Sequence, residues 1–403
     1  MTQHGAPQRD AADALALERI LVVRPQLTRL ARAGDQLGLR PLELLHAGPP
    51  LPDPRRPCTP ILNAAVAAAL LENWAHSESQ ARDMVLQGDI VLQPAQDRAC
   101  VLPLADVLSP SMWVQVVQDA QVSDNWCCSS LNGGMAHPLR VGIFDADVLS
   151  HLRWLSDTFA PTLAKALTEP VALIELADQG LRAGDDGHGK TAAMTDALAD
   201  LLKPRLDRDS ASTCLGYLAQ SPGFFLNLWM AACRCMLAAA AGTHGAGIVT
   251  AAGGNGQTFG IQVAGLPNRW LSLPATAPVI PQGTPEQAAA SLGAIGDSAL
   301  VDLMGFGAMT TLAIPREPAA FVTLWPDQAD APAALLGDAH PAFANTHPRV
   351  TVNTRRAAAG RHQPLVSLGV LDKAGQAGRV GGGFYRVPSA LFERAETALT
   401  HAH

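Results

Sequence analysis

Between residues 146 and 240 the chain reads as helix and little else, and that block limits the folds open to it. "DADVLSHLRWLSDTFAPTLAKAL", "TAAMTDALADLLKPRL" and "FFLNLWMAACRCMLAAAA" are three helical runs with few strand signals between them. On either side the pattern changes. Residues 88–119 alternate and are rich in Val, and strand-and-turn patterning returns from Gly247 until a short amphipathic helix at Pro388–Thr400. The pattern predicts an α+β chain: a mixed α/β body of two subdomains with an inserted all-helical domain. The divisions fall at 1–145 (N-terminal, α+β), 146–245 (helical) and 246–403 (C-terminal, α+β, with Gly-rich loops).

Finer features follow from local chemistry. Residues 1–10 read as a frayed end. Ala11–Ala33 shows helical spacing and is expected as two short helices broken at Pro25. Six prolines in "LLHAGPPLPDPRRPCTP" (44–60) make that stretch a loop or connector, feeding an Ala-rich buried helix at Ile61–Asn73. Ser77 with Gln80 fits a capping box. Residues 275–294 read as a loop or lid-like segment.

Composition removes whole classes of function. Apolar residues make up 48% and charged ones 16% of 403 residues, enough for a large core. The 29 Lys and Arg are scattered and the net charge is −7, so neither nucleic acid nor an anionic membrane is an expected partner. Phe224–Ala241 is interrupted by Asn227 and Arg234 and reads as a buried helix rather than a membrane span. Seven cysteines without a C-x-x-C pair, and a start lacking the signal-peptide pattern, point to reduced, structural thiols in a cytoplasmic protein.

Four stretches carry candidate chemistry. "GDDGHGK" (184–190) sets Asp185, Asp186, His188 and Lys190 among three glycines between two helices, which suits an acid/base and an anion anchor. An interhelical loop with Asp186 near an N-cap explains the same residues. "IGDSAL" (295–300) offers Asp297 and Ser298, either of which reads equally as an N-cap. In the 44–60 connector stand His46, Arg55 and Arg56, an arginine being suited to grip a carboxylate in a fork. "AAGGNG" places Gly253, Gly254, Asn255 and Gly256 between two strands. An ordinary bulged hairpin uses such residues, and so does a backbone cradle for an anion. "GQAGRVGGGF" (375–384), with Lys373 and Arg379, lacks the strand–GxGxxG–helix order and the following acid of a dinucleotide site. No Walker A lysine motif and no G-x-S-x-G elbow is present.

Taken in order, "LLHAGPPL", "LSPSMWV", "HLRWLSDTFAPTLAKAL", "GDDGHGK", "FFLNLWMAA", "IVTAAGGNGQTFGIQVAGLPNRW", "IGDSALVDLMGFGAM" and "VSLGVLDKAGQAGRVGGGFYRVP" resemble the AllG-like family over about Leu17–Ala398. That family includes a subunit of the oxamate carbamoyltransferase of anaerobic allantoin degradation. The resemblance implies an α+β protein with a helical insert, and chemistry on small ureido acids: oxamate plus carbamoyl phosphate giving oxalurate plus phosphate, or the reverse. A hydrolase or lyase acting on a C–N bond, and a non-catalytic subunit of a multi-subunit complex, are the other readings. Two departures suggest a divergent branch: the match starts almost at Met1, where relatives carry an additional segment, and Gln96, Asp97 and Arg98 stand where relatives tend to be His-rich.

Under this resemblance the Gly253–Gly256 turn, a recurring family feature, is expected to cradle the ligand together with Arg269. Asp186, His188 and Asp297 are the expected catalytic residues. His46, Arg55, Lys190, Asn255, Arg269 and Ser298, with the glycines of the turn, are the expected substrate contacts. Asp186/His188, the Gly253–Gly256 turn and Asp297/Ser298 should then share one pocket. No cofactor is expected, a divalent metal is left open, and the partners are a small-molecule substrate and either further copies of the chain or other carbamoyltransferase subunits.

Overall fold

The computed structural model describes residues 6–131, 136–310 and 323–402. Its strands are β1 (Pro25–Arg32), β2 (Glu43–His46), β3 (Val91–Pro94), β4 (Cys100–Val101), β5 (Val107–Leu108), β6 (Trp113–Asp119), β7 (Trp126–Ser130), β8 (Val171–Ala172), β9 (Val249–Asn255), β10 (Thr258–Val263), β11 (Leu266–Pro274), β12 (Ile295–Gly296), β13 (Leu365–Leu371) and β14 (Arg379–Arg386). They form four sheets, ordered β4-β7-β6-β1-β8, β3-β2-β5, β11-β10-β9-β12 and β13-β14. Among the described residues only β2–β3 and β4–β7 pair in parallel. Small, mostly antiparallel sheets stand beside abundant helix, so the chain is α+β.

Within 146–240 the only regular structure besides helix is β8, which adds two residues to the edge of β1. The last of these helices, Phe224–Ala238, is buried on nearly every face, Asn227 included, and packs against β6, β7 and β9 and against the helix Ala299–Met304. Such a helix belongs at the centre of the molecule. Trp229 is fully buried, with Phe306 edge-on at 5.0 Å and Phe343 at 6.1 Å between ring centroids. Burying each such ring contributes roughly 1.5–3 kcal/mol. One continuous apolar cluster runs through all three stretches of the chain. No helix among the described residues is long and apolar enough to cross a membrane.

Two local expectations need correction. The stretch after Pro25 is the strand β1, not a second helix. Its register against β6 shifts between Leu27 and Arg29, so buried Leu27 and Leu30 stand three apart and imitate helical spacing. Second, the turn in "AAGGNG" is only Gly256-Gln257. Gly253 and Gly254 lie inside β9, opposite Gly260 and Phe259. The Ala-rich helix (Thr59–Leu71) and the closing helix (Ser389–Thr400) lie where the sequence places them, whereas the expected connector 44–60 is irregular only over 47–58, since Leu44–His46 belong to β2 and Thr59–Pro60 to the helix. Ser77 caps its helix, but Gln80 accepts from His76 rather than returning to the cap residue.

Candidate functional site

The loop 184–190 joins helices Leu173–Ala183 and Ala192–Leu202, and its acids organise it. Asp185 accepts from the Met194 amide at 2.9 Å and so serves the start of the second helix. Asp186 Oδ1 accepts from the amides of His188 (2.8 Å) and Lys190 (2.9 Å), closing a turn around the imidazole. The Gly307 amide donates to the Asp186 carbonyl at 2.7 Å, which ties the loop to the far end of the helix Ala299–Met304. His188 Nδ1 thereby meets the Oδ2 atom of Asp302 in a short hydrogen bond.

Asp302 is fully buried, while the His188 side chain keeps 6% of its surface open. Asp302 Oδ1 accepts two further main-chain N–H groups, from Ala308 (2.8 Å) and Ser367 (3.0 Å). Burial pushes the imidazole down, but the Asp302 carboxylate outweighs it, helped by Asp186, and holds His188 above its ordinary value. Burial raises Asp302 as well, against the pull of the imidazole and the two amides. With three donors on the carboxylate, we assign it as ionised, with the proton on His188 Nδ1. Nε2 is then the nitrogen that titrates.

A second buried acid lies at the other end of the same helix. Asp297 is wholly buried and takes hydrogen bonds from the Gly48 amide (2.8 Å) and Gln96 Nε2 (2.6 Å) on Oδ1, and from the Leu102 amide (2.9 Å) on Oδ2. Gln96 also donates to the Ala252 carbonyl at 2.9 Å. Burial pushes Asp297 up to about 7, against those three donors. It pins together the 46–48 loop, the 96–102 segment and β9. Close approach explains the glycines of β9: a Cβ on Gly253 would stand 2.6 Å from Asp297 Oδ1, and one on Gly254 would collide with the Ala294 carbonyl.

The other expected contacts scatter. Asn255 staples its own hairpin, accepting from the Gln257 and Thr258 amides and donating to Thr258 and to the Pro49 carbonyl. Gly256 supplies the turn's positive φ of 82° and donates to Ala294. The N–H groups assigned to a cradle therefore sit in or beside a packed ladder. His46 is fully buried, its Nδ1 donates to the Ala47 carbonyl, and burial lowers it to about 4. Ser298 is buried at the start of the Ala299–Met304 helix without a side-chain cap bond. Arg55 pairs with Asp53 on the surface, and Lys190 and Arg269 are exposed.

The structure seats the three segments expected in one pocket at the two ends of one helix. Asp186/His188 meet the Asp302 end of the helix, whereas β9 and Asp297 meet its start, about 9 Å away at 1.5 Å per residue. A small cavity beside Trp113 and Leu155 and an open groove beside Glu175 and Arg182 include neither group. Among the described residues, His137, Asp145 and Asp147 are grouped like metal ligands, within 4.8 Å, but all are exposed and Asp145 caps the helix at Ala146. All seven cysteines are buried and unbridged, and burial raises each thiol that could otherwise ionise: Cys58 and Cys235 to about 12, Cys214 to about 11.

Residues 90–298, more than half of the chain, match the family described as oxamate carbamoyltransferase subunit AllG. The chain belongs to the AllG family. It is 30% identical to the oxamate carbamoyltransferase subunit AllG of Escherichia coli K12 over 416 aligned positions, covering 97% of each chain. It is 27% identical to the uncharacterized protein YahG of the same organism, over 96% of this chain and 84% of that one. Its fold is that of a conserved protein of unknown function from Enterococcus faecalis V583, whose crystal structure superposes with a TM-score of 0.86 at 24% identity, over 98% of both chains. Within the AllG-family match fall His188, β9 and Asp297. Asp302 lies just beyond it.

The sequence reading missed Asp302. A signal existed: in "ALVDLMGFG" it is the one charged residue of an apolar run, and an acid in such a place needs a partner.

Proposed function

We propose that this chain is the carbamoyl-transfer subunit type of its family, acting on a small ureido or oxamate-like acid, with His188 and Asp302 as its proton-transfer pair. A single observation carries the reading: a fully buried carboxylate holds one nitrogen of a nearly buried imidazole that keeps an open edge. In oxamate carbamoylation the amide nitrogen attacks the carbamoyl carbon of carbamoyl phosphate. The N–C bond forms, the C–O bond to phosphate breaks with its electron pair leaving on phosphate, and the nitrogen loses a proton. His188 Nε2 takes that proton, and Asp302 stabilises the resulting imidazolium. In the reverse direction the imidazolium returns the proton to the departing amide nitrogen, the step that a raised His188 favours. Asp186 positions the imidazole through its loop.

The relatives' name as a subunit favours a second reading, in which the chain completes a site only with partner chains. Incubating the purified protein with oxamate and carbamoyl phosphate, alone and with candidate partner subunits, separates the two. Phosphate release by the chain alone supports an independent enzyme. Release only in the mixture, lost with His188→Gln, supports a shared complex with its base on this chain. Release in the mixture that survives His188→Gln rejects the proton-transfer role.

A further inference from the structure

The glycine-rich motif "GQAGRVGGGF" has so far no role, yet it stands beside the His188–Asp302 pair. In the β13–β14 hairpin Gly369 and Gly382 face each other. The Arg379 side chain lies over both: a Cβ on Gly369 would be 3.4 Å from its Nε, and one on Gly382 would be 3.4 Å from its Nη2 and would meet nothing else within 4 Å. Arg379 Nε donates to the Gly381 carbonyl at 3.1 Å. The guanidinium is therefore laid on bare backbone, with space beside it. Among the described residues no carboxylate pairs with it.

The hairpin is joined to the proposed centre. Its Ser367 amide donates to Asp302, and Gly369, two residues on, touches the Leu104 side chain at 3.2 Å from its Cβ position. The Ala105 amide donates to the Arg140 carbonyl at 3.0 Å, and Val141 comes within 3.4 Å of the Cβ position of Gly378. Half-buried Arg140 thus borders the same end of the hairpin, behind Arg379. Burial lowers Arg140, Asp106 and Tyr217 act on it the other way, and Arg379 adds a smaller downward push; the same push reaches His188, which Asp302 still holds above its ordinary value. Of the nearby acids, Asp302 is engaged by His188, while Asp106 accepts from the Ser130 hydroxyl at 2.6 Å and also acts on Arg140.

We propose that Arg379 is the oxyanion-binding subsite of the His188 centre and takes the phosphate or carboxylate group of a small acidic ligand. The planar guanidinium fork matches both groups, and a side chain already held on the glycines loses little freedom on binding. This rests on the His188–Asp302 reading, so the test reads binding and not turnover.

Calorimetric titration of the full chain with inorganic phosphate and, separately, with oxamate tests it. Wild type should bind at least one of them, and Arg379→Gln should weaken that binding about tenfold or more at an unchanged melting temperature. Arg379→Lys should restore only part. Gly382→Leu, which fills the space and keeps the charge, should also weaken it. A loss confined to phosphate or to oxamate identifies the group that is held. His188→Gln should leave affinity within about twofold while turnover falls, which separates the subsite from the proton-transfer role. Failure of wild type to bind either anion, or wild-type affinity in both Arg379→Gln and Gly382→Leu, overturns the proposal.

Discussion

Asp297 and Asp302 are five residues apart, flank or share one short helix and are both fully buried, yet their surroundings give them different work. Asp297 accepts hydrogen bonds only from amides: two main-chain N–H groups and the Gln96 side chain. None of these three donors titrates, and its bonds fasten three chain segments. Asp302 accepts from two amides and one imidazole, and under the proposed function that one exchange makes it half of a proton-transfer pair rather than a fastener. Burial and hydrogen-bond count do not distinguish the two. The titratable partner does.

The same substitution at both positions should therefore fail differently. In Asp302→Asn the amide oxygen can still accept from Ala308 and Ser367 while its NH2 faces His188 Nδ1 and forces the other tautomer. Turnover should fall by about 10²–10⁴-fold, as for loss of an acid/base, with the melting temperature close to wild type. Steady-state kinetics and a thermal melt on one preparation check this.

In Asp297→Asn either orientation of the amide points its NH2 at a donor, Leu102 on one side or Gly48 and Gln96 on the other. The expected cost is about 2–3 kcal/mol of stability from one unsatisfied buried donor pair, read by denaturant titration. A stable Asp297→Asn that has lost turnover would reverse the roles assigned to the two acids.

Smaller effects should appear in the pH dependence of stability. His46 and His340 are pushed down to about 4 by burial, so each contributes stability above pH 6.5 that is lost as pH falls towards 4. Asp297, pushed up to about 7, acts oppositely: its contribution is full below about pH 4 and is lost as pH rises through 7. His188 and Asp302, both raised, act in the same sense as Asp297, so the two histidines are read by difference: between pH 6.5 and 4 the double variant His46→Gln/His340→Gln should lose less stability than wild type. A double variant that loses as much as wild type over that interval would contradict the burial of the two histidines. Least affected should be Lys190→Ala, an exposed change worth less than about 0.5 kcal/mol in stability. Its turnover decides whether Lys190 touches the ligand.

Much of this was legible in the sequence, and the failures have physical causes. The α+β class, the helical stretch and the loop carrying His188 followed from periodicity and glycine placement, which are local properties. Gly253 and Gly254 were visible as unusual, but their cause is non-local: the Ala294 carbonyl and the Asp297 carboxylate press on β9 from some forty residues away. The sequence marks that close approach is needed without saying whether a ligand or the protein's own backbone approaches. Asp302 was hidden by its helix, where an acid in an apolar run reads as a lapse of pattern until its partner, 114 positions earlier, is seen. Gln96 entered the sequence reading only through the family resemblance. Its part in fastening Asp297 emerges only where the 96–102 segment crosses β9.

The claim that His188 with Asp302 forms the proton-transfer centre is tested most directly by turnover of His188→Gln, in whichever assembly supports carbamoyl transfer between carbamoyl phosphate and oxamate. Glutamine keeps a polar group beside Asp302 but cannot exchange a proton near neutral pH. The expected result is a fall in kcat of about 10²–10⁴-fold with an unchanged melting temperature. A variant that folds as wild type and keeps kcat within about threefold would show that the proton moves elsewhere, and the pair at the end of the Ala299–Met304 helix would then be, like Asp297, a fastener.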